Sequence, residues 1–474
     1  MVKLKKISSD PIFSVGLNNI IQIISSLIAI PIVISNLTVE EINIWFLLMT
    51  LVALSQSVLF GFNGTFLRFI SYSYSGIKID DFSKISSKKK PTKDNDCDTA
   101  EFSSIYSLMK KIYLLITIIY LFTFSIIGYL VLKDLIFDLK DSTQGWFSFL
   151  AVILGTSTTI YLGFNQIFIE GINKVNLSHK ILAANNFIGF FIIIWVLIYM
   201  PSLFSIILVY QVVPIIGLLI LLYNSLKFVK KLKLSPKPFN KKLFGIVWDS
   251  AWKSGFTVIL ANIVKNISGI LVSQLFTPAI SASFLFTKKI FETIDRVTLI
   301  PFIARIPKIA SIRSKGDIEV FSNFTKQTFN YSYLIFIFSY LIFITQGEFI
   351  LSLIKSNVNL GSKTLIILFS FSTLISRWSG IILLISNLSH LILEHISAVI
   401  VAIVYFISLY LGYKYFSIEI FPIAHTIGVI ISSFFIFKKF YSSFDESFFS
   451  YEKTKIIVVT TLLILINTIY FIFQ

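Results

Sequence analysis

The chain is poor in charge, in cysteine and in histidine, and each scarcity excludes something. Its only cysteine, Cys97, leaves no internal disulfide framework and no paired-thiol metal site. Charged residues make up 14% of the sequence, whereas a soluble globular domain carries about 25%. The four histidines form no array with metal-ligand spacing. There is no Ser/His/Asp arrangement and no phosphate-cradling glycine loop, so nothing points to an enzyme or to a bound cofactor. Acid is scarcer than base, with 24 Asp and Glu against 41 Lys and Arg and a net charge of +17. What fills the 474 residues is apolar: 55% hydrophobic, with a mean hydropathy of +0.84. That composition describes a polytopic membrane protein.

Apolar windows of about 20 residues place spans near 12–36, 43–70, 112–132, 146–169, 181–199, 203–226, 254–276, 279–304, 329–345, 364–386, 394–411, 418–437 and 456–473. They lack the alternation of a barrel strand and read as helices. The first follows a basic leader, "MVKLKK", without a cleavage-site pattern and reads as a retained span. With the N-terminus placed inside, the inside segments hold 29 of the 41 basic residues, the outside segments 5, and the spans, with Lys253 at the edge of the seventh, 7. This bias predicts a cytoplasmic N-terminus. It also accounts for the positive charge without nucleic acid.

Two polar stretches interrupt the spans. Residues 78–101 are rich in Lys, Ser and Asp; Asp94, Asp96 and Asp98 open like a calcium loop, but Thr99 stands where the turn glycine is needed. The second stretch, 227–242, is basic and divides the main spans six and six. The expected organisation is therefore a six-helix lobe over 1–226, a cytoplasmic linker over 227–242, a second six-helix lobe over 243–440, and a loop with a thirteenth helix over 441–474. A weak internal match at an offset of 239 sets Gly16 on Gly255 and Trp45 on Phe284. It suggests parallel repeats related by an axis along the membrane normal.

Charge inside the spans is concentrated in one of these halves. In "FLFTKKIFETIDRVTLIP", Lys288, Lys289, Glu292, Asp295 and Arg296 fall within an arc of about 120° at about 100° per residue. Phe286, Ile290, Ile294 and Val297 occupy the opposite arc, which is expected to face lipid. The aligned positions of the first half are Met49, Thr50, Ala53, Gln56 and Ser57, all neutral. Asn262, Lys265, Asn266, Gly269 and Ser273 share a face of the preceding span, and Asn18 and Gln22 belong to a neutral stripe on the first. Arg377 sits in mid-span with no acid one turn away. Intramembrane charge marks function by default, and a cationic wet surface attracts anions such as phosphate. Lys265, Lys288, Lys289, Arg296, Arg377, Asn262, Asn266, Asn18 and Gln22 are thus candidate substrate-binding residues. His425, early in the twelfth span, fits packing as well as function.

The ordered segments "WFLLMTLVALSQSVLFGFNGTFLRFIS", "FNQIFIEGINKVN", "PFIARIPKIASIRSKGD" and "GEFILSLI" give the chain a resemblance, over about residues 10–440, to the polysaccharide repeat-unit (O-antigen, Wzx-type) flippases. These belong to the superfamily that also holds the multidrug and toxin extruders (MATE). The resemblance implies two pseudo-symmetric six-helix lobes, MATE-like, around a cationic cavity. It implies an undecaprenyl-pyrophosphate-linked oligosaccharide moved between leaflets of the bacterial inner membrane by alternating access. A polysaccharide polymerase or chain-length regulator would be a partner alongside membrane lipids. Coupling to H+ or Na+ would fall to Glu292 or Asp295. The lipid II flippases carry arginines in the first span, and this chain has none there. A MATE-type drug or cation antiporter is the alternative, and a membrane-embedded polysaccharide polymerase a more distant one, since no outside loop is long enough for a catalytic domain.

Overall fold

A computed structural model of the chain describes residues 11–59, 61–74, 99–314, 318–353, 357–388, 393–441 and 446–473. The acid-rich Asp94–Asp98 stretch lies outside them. The described residues form fourteen α-helices and no strand. They are α1 (Pro11–Asn36), α2 (Val39–Ser55), α3 (Phe62–Tyr74), α4 (Thr99–Phe137), α5 (Ser142–Gly171), α6 (Val175–Tyr199) and α7 (Leu203–Lys231). Then follow α8 (Lys241–Leu275), α9 (Pro278–Ser314), α10 (Ile318–Leu353), α11 (Lys363–Leu388), α12 (Glu394–Phe416), α13 (Ile420–Tyr441) and α14 (Glu446–Phe473).

Among the described residues ten stretches are long and apolar enough to cross a membrane, and one of these, 394–437, takes in α12 and most of α13. The chain is a multi-pass membrane protein. α1 and α9 are not among the ten; α9 carries five charges in the middle of its apolar run. The span expected as one helix over 43–70 is divided. α2 gives way to a 3₁₀ turn at Gln56–Leu59, and Gly61 adopts φ 68°, a left-handed conformation that only glycine takes without strain. α3 then restarts as an amphipathic helix with Phe66, Phe69 and Ile70 buried.

The chain forms two compact units, 1–29 with 47–262 and 30–46 with 263–474. In the first, α5 packs closely along α7: a Cβ on Gly155 would stand 2.6 Å from Cβ of Gln211. Small residues permit such approach where lipid offers no hydrophobic drive between helices. Aromatic side chains fill the interior, with Phe102, Tyr106 and Phe168 ring to ring. The basic stretch after α7 lies along α4, where Ser103 Oγ and Ser107 Oγ accept the amides of Ser235 and Lys237 at 3.2 and 3.0 Å. Phe122, Trp195 and Leu130 are more than half exposed, as lipid-facing side chains are.

In the second unit, α9 packs on α10 and α11, and α12 on α13. α14 docks on α10 and α11 through a buried polar chain: Tyr340 donates to Asn467, and Asn467 Nδ2 donates to Ser370 Oγ at 3.3 Å. The α1–α2 turn is held here too. Asn357 Nδ2 donates to Leu37 O at 2.7 Å, and Ser273 Oγ donates to Asn43 Oδ1 at 3.0 Å. Asn36 and Leu275 end their helices, and Val39 and Pro278 start the next ones; both pairs are 239 residues apart. The weak sequence offset therefore carries one helical turn onto another.

Candidate functional site

The charged stretch of α9 belongs to the second unit. The arc expected to face lipid is partly covered: Phe286 and Ile294 are 3% and 6% exposed. The reason is that α9 has neighbours on more than one side, α10 and α11 among them, so a helical wheel with one wet and one lipid face does not describe it. Arg296 is the exposed member of the five charges, and Lys288, Lys289, Glu292 and Asp295 are half-buried.

The α8–α9 hairpin turns within two residues, and its tightness brings Lys288 back to α8. Lys288 Nζ donates to Lys265 O at 2.6 Å and to Ser268 Oγ at 3.0 Å. Lys265 itself is exposed, and Asn266 is buried beside it. Glu292 pairs with Lys289, three residues before it on the same helix, at 3.6 Å. It also lies within electrostatic reach of Lys265, Lys288 and Arg296.

Arg377 finds its acid on another helix. Its Nε donates to Asp295 Oδ1 at 3.0 Å and its Nη2 to Asp295 O at 2.8 Å; Nη2 also contacts the carboxylate. The guanidinium is nearly buried and the carboxylate about one-third exposed. This bidentate pair joins α11 to α9, and it commits Arg377 and Asp295 to each other. Of the expected cavity residues, the set thus holds five cations, Lys265, Lys288, Lys289, Arg296 and Arg377, against two acids, a surplus of three positive charges.

Sequence reasoning missed two members of this group, Ser268 and Ser372, and leaves His425 open between packing and function. Ser268 falls about 120° from Asn262 on α8 at about 100° per residue, outside the stripe, and only the hairpin reveals it. His425 of α13 stands within reach of Lys288, Asp295 and Lys265, and its Nδ1 shares a hydrogen bond with Ser372 Oγ at 3.0 Å. A histidine in a span whose neighbours in sequence are apolar was the available signal. Asn18 and Gln22 belong to the first unit. Asn18 is 5% exposed and accepts a bond from Asn186 Nδ2 at 2.8 Å, an interhelical tie, while Gln22 is exposed. Asn262 is half-buried on α8. Among the described residues no group of His, Cys, Asp and Glu could hold a metal ion.

No protein-family model matches the sequence, and no curated protein does. Solved structures match over nearly the whole length. The lipid II flippase MurJ in an inward closed conformation aligns at TM-score 0.56 and 16% identity over 97% of this chain and 98% of that one. The MATE transporter VcmN of Vibrio cholerae aligns at 0.54 and 12%, over 94% and 99%. An inward-facing multidrug resistance MATE transporter of the MOP superfamily aligns at 0.53 and 11%, over 94% and 99%. These are transporters and a flippase rather than enzymes, and at such identities they establish that this chain has the MATE-like transporter fold.

Proposed function

We propose that the protein is a flippase that carries undecaprenyl-pyrophosphate-linked oligosaccharide repeat units from the cytoplasmic to the periplasmic leaflet of a bacterial inner membrane, by alternating access. The observation that carries this reading is the surplus of positive charge on α8, α9 and α11. Arg377 is neutralised by Asp295 and serves to hold α9, while Lys265 and Arg296 are exposed on adjacent helices of one unit. Two cations so placed suit the oxygens of a pyrophosphate. Lys288 orients the α8 face that bears Lys265. The charge bias of the loops supports a cytoplasmic N-terminus, and the fold shared with a lipid II flippase supports a lipid-linked cargo. A drug-cation antiporter would place an unpaired acid where this unit has net positive charge.

Proteoliposomes loaded with a fluorescent polyprenyl-pyrophosphate glycolipid test the reading. Wild-type protein is expected to expose the label to an outside quencher, and Lys265→Gln and Arg296→Gln to lower the rate at least tenfold with normal folding. Full rates in both variants would remove the cationic surface from the mechanism. Efflux of an organic cation by the wild type, with no movement of the glycolipid, would replace the reading with drug export.

A further inference from the structure

α9 serves a second feature nearer its start. A half-open cavity of about 360 Å³ is lined by Val39, by residues of 279–284 on α9, by the segment 357–362 before α11, and by Ile418 and Glu419 between α12 and α13. Small-ligand pockets begin at about 300 Å³. Its lining alternates apolar faces with Ser283, Asn357, Asn359, Ser362 and Glu419, and among the described residues that line it none is basic.

The walls of this cavity are fixed by specific contacts. Gly361 N donates to Thr287 Oγ1 at 2.8 Å, and a Cβ on Gly361 would stand 2.7 Å from Leu365 Cδ2. Ser362 Oγ donates to Glu419 Oε1 at 3.5 Å. Ser417, the residue before Ile418, has φ 48° and ψ −128°, a strained conformation for a non-glycine residue. Strain of this kind persists where the surroundings over-determine it and gathers at ligand sites. Here it turns Ile418 and Glu419 into the cavity.

We propose that this cavity binds a neutral sugar ring of the transported glycan, an assignment that rests on the flippase reading above. A pyranose presents apolar C–H faces and a rim of hydroxyls, and the lining offers apolar surface together with amide, hydroxyl and carboxylate groups. One carboxylate and, among the described lining residues, no cation disfavour a uronic acid. Ser283 precedes Lys288 by five residues, about 7.5 Å along the helix axis, so the sugar site and the cationic cluster follow one another on α9. The sugars and the pyrophosphate follow one another in the cargo. The cavity is built from segments that the charge count places outside, which makes it a site for the sugar as it leaves.

Purified full-length protein in micelles, titrated with methyl glycosides of N-acetylglucosamine, galactose and glucuronic acid and followed by saturation-transfer NMR, tests the assignment. At least one neutral glycoside is expected to bind, with the glucuronide at least tenfold weaker. Filling the cavity by Ser283→Leu or, independently, Ala279→Leu should lower affinity at least tenfold. Glu419→Gln should lower it about threefold, the loss of one hydrogen bond, and a surface change, Lys140→Gln, should not. Absence of neutral-sugar binding, or binding untouched by the folded filling variants, would overturn the site. Glycolipid movement together with unaffected sugar binding in those variants would remove the cavity and leave the flippase reading. Sugar binding lost on filling, without glycolipid movement by the wild type, would do the reverse.

Discussion

Asp295→Asn is expected to destabilise the second unit more than Arg377→Gln, and the double change less than the sum of the two. Removing one partner of a buried ion pair costs about 3–5 kcal/mol, because the other charge is left uncompensated. The two ends here differ in burial: the Arg377 side chain is 8% exposed and that of Asp295 31%. Asp295→Asn leaves an uncompensated guanidinium in the drier place, met by a neutral amide oxygen and a backbone carbonyl, so it belongs at the upper end. Arg377→Gln leaves a carboxylate that water already reaches, so about 3 kcal/mol is the expected loss. The double variant buries no charge and should recover about 2 kcal/mol of the summed cost. Because membrane proteins of this size unfold irreversibly, the measurement is the half-life of the monodisperse species in detergent at fixed temperature. A loss of about 3 kcal/mol carried fully by the unfolding barrier shortens that half-life about 100-fold. Strictly additive effects, or a silent Asp295→Asn, would show that the pair does not hold α11 to α9.

Three further outcomes are expected. Gly61→Ala forces a side chain into φ 68° and should cost about 1–2 kcal/mol, read as a roughly tenfold shorter half-life; an unchanged half-life would mean that the break before α3 relaxes freely. Gly155→Val should cost about 1–3 kcal/mol by overpacking against Gln211, and Gly163→Val, which meets nothing within 4 Å, should serve as its silent control. Tyr340→Phe removes the donor to Asn467 and should cost about 1 kcal/mol, seen as faster hydrogen exchange in α14 with little change in α5.

The spans were legible because their apolar runs are long and their loops carry a strong charge bias. The break inside the second span was not, since "LFGFNG" is apolar enough to read as continuous helix and only the backbone at Gly61 shows the interruption. The charge arc on α9 was legible as an arc, because helical spacing fixes relative angles. Its partners were not, because Arg377 and Asp295 are 82 residues apart and no local pattern links them. Lys288 is legible as an intramembrane cation, but the contacts of its ammonium with the α8 backbone and Ser268 are not, since they cross the hairpin. For the same reason His425 looked ambiguous: its meaning depends on which helix face α13 turns to α9.

The α1–α2 turn has a consequence for synthesis. Leu37 O and the amide that binds it are separated by 320 residues. At about 5–20 residues per second that partner emerges roughly 16–64 s later. Through that interval the early hairpin is in the membrane without the segment that caps it, and the backbone oxygen of Leu37 has to be met by water, lipid headgroups or an insertion factor. The α1–α2 turn can be capped only when just over three-quarters of the chain has been translated, so mutations in 357–362 should act on assembly of residues already long inserted.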